Sequence, residues 1–286
     1  MLVTGASGAL GGAAFARLQE MREYELFTTR RRILQEITNS FECDFLKLGD
    51  VTRVLERVRP DCVLHLAATF GTDFAESLSV NFGAAEEILK WVADCGKPVR
   101  VMLIGSAAEY GVIKGEENPI NESHVLAPVS VYGVTKACQT QLISFYAARN
   151  VDVVLARIFN LSGENLSERL FVGRVHAQLL ELRDGLRTHI EVGPLTATRD
   201  YLPLSEAVEQ LLAILRFGSA GHVYHVASGV PTTMRALLDA ELNTRGLDFS
   251  VVRESPALSN RAGYDVPVIY ASLTKTQKLM GLANHG

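Results

Sequence analysis

The chain opens with MLVTGASGALGGAAF (residues 1–15), and the rest of the sequence is read outward from this stretch. An apolar run, Met1 to Thr4, is followed by glycines at 5, 8 and 11 and then by small residues suited to a helix start. The spacing G-x-x-G-x-x-G departs from G-x-G-x-x-G but keeps its physics. A glycine that closes a strand can take positive φ, a bare backbone lets a phosphate approach, and a helix from about Ala9 offers unpaired N–H groups and a positive dipole end. The turn therefore predicts a phosphate-binding β-α unit with Gly5, Ser7, Gly8, Ala9, Leu10 and Gly11 facing the ligand. A turn that only packs tightly would carry the same letters, so the remaining sequence has to decide.

Short β-branched runs alternate with stretches of helical period, the rhythm of a parallel sheet. Strands are expected at about Met1–Thr4, Tyr24–Thr29, Phe41–Asp44, Cys62–Ala67, Val99–Ile104, Val151–Ile158 and His222–Ala227. Helices fall near Leu10–Arg22, Arg31–Thr38, Val51–Val58, Phe74–Cys95 and Val131–Arg149. After Asn160 the rhythm loosens, and Leu166–Asp184 reads as a helix that starts a second unit. The fold class is α/β: a Rossmann-type, doubly wound parallel sheet with a smaller, interwoven C-terminal substrate-binding lobe. The dinucleotide-binding part would take residues 1–160 and about 193–227; the lobe would take about 161–192 and 228–286.

Composition narrows the partners. Of 286 residues, 48% are hydrophobic and 21% charged, which reads as globular. A net charge of −4 gives no electrostatic case for nucleic acid or an anionic membrane. Cys43, Cys62, Cys95 and Cys138 lack metal or redox spacing, so four buried, reduced thiols and no metal site are expected. The first strand starts almost at residue 1 and no apolar run could span a bilayer, so no targeting segment and a cytoplasmic location are expected.

Chemistry concentrates in VYGVTKA (131–137), where Tyr132 and Lys136 lie four apart and share a helix face. A phenol titrates near pH 10, and a fixed ammonium beside it favours phenolate, so the pair is suited to moving a substrate hydroxyl proton. Upstream, IGSAAEYG (104–111) puts Ser106 at the carboxyl edge of a central strand, where open α/β sheets bind ligands.

With these residues in place, the sequence resembles the extended short-chain dehydrogenases, the NAD-dependent epimerase/dehydratase group. The ordered set that carries this resemblance is VTGASGALG, CDFLKLGDV, VLHLAA, VNFGAAEEIL, SAAEYG, YGVTK, ARIFNLSG and TRDYLPLSEAV. The resemblance implies Ser106, Tyr132 and Lys136 as catalytic residues, with Lys136 also holding the nicotinamide ribose. It implies cofactor contacts at Asp44 and Phe45, at Leu66, Ala67 and Ala68, at Asn81, and at Ile104 and Ile158, besides Tyr132 and Lys136. Substrate contacts are implied at Ser106, Asn160, Arg199 and Arg261, the arginines suiting a diphosphate.

Departures from the family pattern sort the chemistry. Sugar 4,6-dehydratases follow their Ser/Thr with Asp and Glu, whereas Ala107 and Ala108 stand here. His176 is the candidate for an extra base, against a packed or solvated role. A 4-keto sugar nucleotide reductase leads, since GSAAEYG and VGPLTATRDY look most like GDP-4-dehydro-6-deoxymannose reductases. A nucleotide-sugar 4-epimerase with retained NAD and a non-catalytic cofactor-binding sensor stay as alternatives. After the second strand the chain reads TTRRR, and Arg30 and Arg31 could pair with a 2′-phosphate, which favours NADP(H) and leaves NAD(H) open. The resemblance also implies a homodimer through the helices at 74–95 and 131–149. On the second of these, Val131, Val134, Cys138, Leu142, Phe145 and Tyr146 make an apolar arc wider than one sheet face needs.

Overall fold

The computed structural model describes residues 1–32, 38–258 and 266–283. The chain lays down β1 (Leu2–Thr4), α1 (Ala9–Met21), β2 (Phe27–Arg30), β3 (Ser40–Glu42), α2 (Asp50–Val58) and β4 (Cys62–His65). After α3 (Phe74–Leu78) and α4 (Ala84–Asp94) come β5 (Arg100–Ser106), α5 (Val131–Ala147) and β6 (Asp152–Ile158). Then β7 (Asn160–Ser162), α6 (Phe171–Arg183), β8 (Ile190–Val192) and β9 (Thr198–Pro203) leave the sheet, and α7 (Leu204–Phe217) leads back into β10 (Val223–Val226). The seven main strands are parallel, in the order β3-β2-β1-β4-β5-β6-β10. The winding reverses between β1 and β4, and the crevice at the carboxyl ends of those two strands is where such sheets take ligands.

Side-chain alternation along the strands builds two cores. Val3, Leu64, Met102 and Val154 point to one face, against Leu18 of α1 and Leu211 and Ile214 of α7. Leu2, Val63, Val101 and Val153 point to the other, against Val54 of α2, Ile88 of α4 and Leu142 of α5. Strands covered on both sides read as continuous apolar runs, which is why LHLAA and VMLIG were legible. Burying a side chain such as Ile88 or Leu64 contributes about 1.5–3 kcal/mol.

Past β10 come β11 (Pro231–Thr233), α8 (Met234–Asn243), β12 (Val252–Glu254) and α9 (Thr274–Ala283). A three-stranded sheet, β11-β9-β7, and a pair, β12-β8, form the smaller part. There Val175, Leu179, Ile190, Leu238 and Leu242 make a separate core. The tail differs from the expected lobe segment 228–286, because α9 packs on α7 and beside β10, with Leu279 in the core of the large sheet. The helix expected over 74–95 is interrupted by a π-turn, Ser79–Gly83, and that expected from Leu166 starts at Phe171. Most of the helix expected at Arg31–Thr38 lies outside the described residues. All four cysteines are free; Cys43 is buried, while Cys62, Cys95 and Cys138 are half-buried rather than buried.

Candidate active site

The opening turn is built for close approach. Gly5 closes β1 at φ 73°, and a Cβ there would stand 2.6 Å from the backbone N of Ala67. A Cβ on Gly11 would stand 2.1 Å from the Gly5 carbonyl oxygen, so only glycine lets α1 meet the strand end. Gly8 is different. Its Cβ would meet only the Gly5 oxygen at 3.5 Å, an ordinary contact, so the chain's own packing does not require glycine there. Bareness at the N-cap of α1 leaves room for an anion, which fits a dinucleotide's phosphates.

One cavity of about 850 Å³ takes in the whole turn, Gly5 with Ser7 through Gly11. Arg30 and Arg31 line it at the end of β2, both exposed. Phe45, Leu66, Ala67 and Ala68 continue the wall, and Ile104 and Ile158 form its floor. Ser106, Tyr132 and Lys136 face the same space, as do Asn160 and Arg199 from the other side. Among the described residues, the lining carries four cations, Arg30, Arg31, Lys136 and Arg199, and no Asp, Glu or His.

Two expected site residues, Asp44 and Asn81, lie outside this lining. Asp44 is outside the lining, and its carboxylate accepts from Leu46 N at 3.2 Å to close a turn. Asn81 is fully buried in the π-turn, where it works as a bracket: it accepts from Thr69 N and donates to Thr69 O and Thr135 Oγ1 at 2.8–3.0 Å. That ties the loop after β4 to the helix carrying Tyr132. Arg261 lies outside the described residues. His176 pairs with Glu241 at 2.8 Å beside a separate cavity, so it is a packed histidine and not a base at this site.

Tyr132 and Lys136 sit near the start of α5, which is capped by Ser130 accepting from Gly133 N. Phe70 lies against the Tyr132 ring, centroids 4.5 Å apart. Lys136 is buried, its Nζ donating to Ile104 O at 2.8 Å and Gln139 Oε1 at 2.9 Å. Burial pulls this ammonium down to about 8, with Glu109 pushing it back up. The phenol departs from expectation. Burial raises Tyr132 above its ordinary value, Ser106 opposes by hydrogen bonding and Glu109 adds to the rise. The ammonium expected to lower it spends its bonds on Ile104 and Gln139, so Tyr132 is a protonated donor at neutral pH.

Ser106 is held by a reciprocal cap on the short turn Ala107–Glu109: its Oγ accepts from Ala108 N at 3.2 Å, while Glu109 Oε1 accepts from Ser106 N at 2.7 Å. The Ser106 and Tyr132 side chains both line the cavity and hydrogen-bond each other. Glu109 and its partner Arg157 were not singled out from the sequence. A usable signal was there, because an arginine inside the apolar strand DVVLARI needs a buried counter-charge.

On the far wall, Asn160 donates to Asp200 O at 3.3 Å, and Arg199 Nη1 donates to Thr198 O at 2.9 Å and to Val266 O. Asp200, fully buried, accepts from Ser228 N, Ser228 Oγ, Gly229 N and Ala271 N at 2.7–3.1 Å. It ties two distant segments to β9 behind the wall. Tyr201 lines the cavity, with burial pushing its phenol up to about 12.

Among the described residues no His, Cys, Asp and Glu cluster could hold a metal ion, and no helix is long and apolar enough to cross a membrane. Over 222 residues the chain is 27% identical to GDP-6-deoxy-D-mannose reductase of Pseudomonas aeruginosa, covering 75% of this chain and 71% of that protein. Over 261 residues it is 27% identical to dTDP-6-deoxy-L-talose 4-dehydrogenase (NAD(P)(+)) of Kitasatospora kifunensis, covering 89% and 81%. Its fold matches that of RMD from Pseudomonas aeruginosa complexed with NADPH, with TM-score 0.82 at 22% identity over 98% of this chain and 90% of that one. The profile of the NAD dependent epimerase/dehydratase family matches residues 1–227, and the chain belongs to that family.

Proposed function

We propose that this protein is an NAD(P)-dependent oxidoreductase acting at C4 of a nucleotide-activated sugar, working as a 4-keto sugar nucleotide reductase with NADP(H) favoured. The observation that carries this reading is the lining of the cavity: Ser106, Tyr132 and Lys136 face it together, Arg30 and Arg31 suit a 2′-phosphate and Arg199 a diphosphate, and among the described residues it holds no carboxylate or histidine. Elimination across the sugar ring, or inversion at a carbon beside the ketone, needs a further acid and base. Ala107 and Ala108 cannot serve, and Glu109 is bound to Arg157 behind them. The 27% identity to a reductase and to a 4-dehydrogenase of 6-deoxy sugar nucleotides supports the same chemistry.

A nicotinamide cofactor, when bound, supplies or accepts hydride. Gly5 to Gly11 would hold its diphosphate, Arg30 and Arg31 a 2′-phosphate, and Lys136 the nicotinamide ribose. Ser106 hydrogen-bonds the sugar's C4 oxygen, and protonated Tyr132 delivers a proton to that oxygen as negative charge develops there. Asn160, Arg199 and Arg261 are assigned to the sugar and its diphosphate. Because burial holds Lys136 near 8, its charge is lost as pH rises through that value, and turnover falls above about pH 8. The same burial makes the charge a liability to folding at neutral pH, relieved between about 8 and the ordinary 10.5.

We place the protein in the cytoplasm as a homodimer, with a changed contact surface. Leu142, Ile143 and Tyr146 belong to the core beneath α5, whereas Phe74 and Phe145 are about half exposed and would face the second copy. Light scattering on Phe145→Arg tests this contact.

The function is tested by mixing the protein with GDP- or dTDP-linked 4-keto-6-deoxyhexose and NADPH or NADH. Stoichiometric loss of the reduced nicotinamide is expected. Interconversion of C4 epimers without net cofactor consumption would replace the reductase with an epimerase, and no turnover with either cofactor would leave a binding protein.

A further inference from the structure

Behind the reacting wall lies a charged network that never reaches the cavity. Glu109 and Arg157 are each essentially inaccessible, and Arg157 Nε and Nη2 donate to Glu109 Oε2 at 3.1 and 2.8 Å. Thr140 Oγ1, one turn past Lys136 on α5, donates to the same oxygen at 2.6 Å. The other carboxylate oxygen accepts from Ser106 N at 2.7 Å. Arg157 Nη1 donates to Tyr110 OH at 2.6 Å, and Tyr110 OH bonds His225 Nε2 in turn. Gly105 makes room for the carboxylate, since a Cβ there would stand 2.5 Å from Glu109 Oε1.

A buried ion pair is a poor stabiliser, because desolvation consumes most of what the charges gain. What this one does have is geometry: a single carboxylate meets the end of β5, the third turn of α5 and the carboxyl end of β6. We propose that Glu109 is a positioning residue for the reaction, fixing Ser106 against the helix that carries Tyr132 and Lys136 without touching substrate or cofactor. This rests on the function proposed above. The cap on Ala107–Glu109 is the means, since the Glu109 bond to Ser106 N sets the turn whose Ala108 N–H orients the Ser106 hydroxyl. The charges facing Lys136 agree with it. His65 on β4 is neutral through burial, Tyr132 shares the helix, Arg157 is neutralised by Glu109, and Glu109 favours the ammonium.

Two double variants test the proposal while leaving no buried charge unpaired. Glu109→Leu with Arg157→Met deletes the bonds, and kcat should fall about tenfold or more with KM for the sugar nucleotide within about threefold. Glu109→Gln with Arg157→Met restores an acceptor for Ser106 N, so kcat should recover most of the loss although the charge is still missing. Thermal unfolding verifies that both are folded; should neither fold, Thr140→Val removes only the tie to α5, and a kcat loss of about threefold is expected. Nuclear magnetic resonance titration of the Lys136 side chain, assigned with Lys136→Met, needs no substrate and should move to lower pH in both double variants. Unchanged kcat in the folded Leu/Met protein, or equal losses in the Leu and Gln versions, overturns positioning while the wild-type turnover upholds the function. An inactive wild type overturns the function, and an unmoved Lys136 titration then removes Glu109 from the site as well.

Discussion

The cavity has two walls made in different ways. On the cofactor side, the glycine turn and the start of α1, Gly5 with Ser7 to Gly11, make the wall with backbone, and Gly5 and Gly11 stand where a Cβ would strike a peptide group. On the substrate side, side chains from Asn160, Arg199 and Tyr201 come from the paired strands β7 and β9, and Asp200 behind them binds Ser228, Gly229 and Ala271. A backbone-built wall is specified by local letters and takes no added atom at Gly5 or Gly11. A wall of side chains on paired strands, backed by one buried carboxylate, can change its surface residues more freely, which is how one fold serves many substrates.

Tyr132 stands at the seam of the two walls and gives the largest effect. Tyr132→Phe removes the proton donor but leaves the ring against Phe70, so turnover should drop about 100-fold or more while cofactor binding stays nearly intact. Steady-state kinetics beside a cofactor titration checks this. Parallel losses of turnover and cofactor affinity would assign Tyr132 to the cofactor wall and blur the division.

Asp200→Asn is the cut through the substrate wall alone. An amide nitrogen cannot accept, so some of the N–H and hydroxyl donors now satisfied lose their partner, at about 2–3 kcal/mol of stability. Denaturant unfolding should register that loss, and KM for the sugar nucleotide should rise while NADPH affinity holds.

These two walls also mark where the sequence could be read. The seven main strands, the glycine turn and the Tyr132/Lys136 pair are local patterns, and a strand covered on both faces announces itself as VVLARI or VMLIG. Glu109 sat in plain sight within SAAEYG, but its meaning depends on Arg157, 48 positions later on the neighbouring strand. Asn81 matched a family position, yet its amide is spent on Thr69 and Thr135, a bracket created by a π-turn that no spacing rule anticipates. The β11-β9-β7 sheet was missed because its outer strands, β7 and β11, are three residues each and carry too little alternation to detect.

Gly11→Ala tests the cofactor wall by adding one carbon. In an open helix this change gains about 1 kcal/mol, but 2.1 Å from a carbonyl oxygen it overpacks by about 3 kcal/mol. A net loss of about 2 kcal/mol is expected, together with weaker binding of both NADPH and NADH as the turn opens. Gly8→Ala should leave stability nearly unchanged, since its Cβ has an ordinary contact, yet still weaken the cofactors. If Gly8→Ala instead costs stability and spares binding, the wall is a packing device and not a phosphate cradle.

The smallest effect discriminates within the cofactor wall. Arg30 and Arg31 line the cavity at the end of β2, where the adenosine ribose of a cofactor seated on the glycine turn would lie. Both are exposed, so water and salt compete for any phosphate they hold, and their joint contribution should sit at the low end for charge-assisted contacts, about 1 kcal/mol. Replacing both with serine should therefore raise the Kd for NADPH about fivefold and leave that for NADH unchanged. The wild-type preference should also shrink as ionic strength rises, because exposed charges are screened over about 8 Å at physiological salt. Fluorescence titrations with both cofactors, at low and high salt, read out all of this. Equal losses for NADPH and NADH would show that the arginines support the wall without reading the 2′-phosphate, and the cofactor side would then be selective through backbone shape alone.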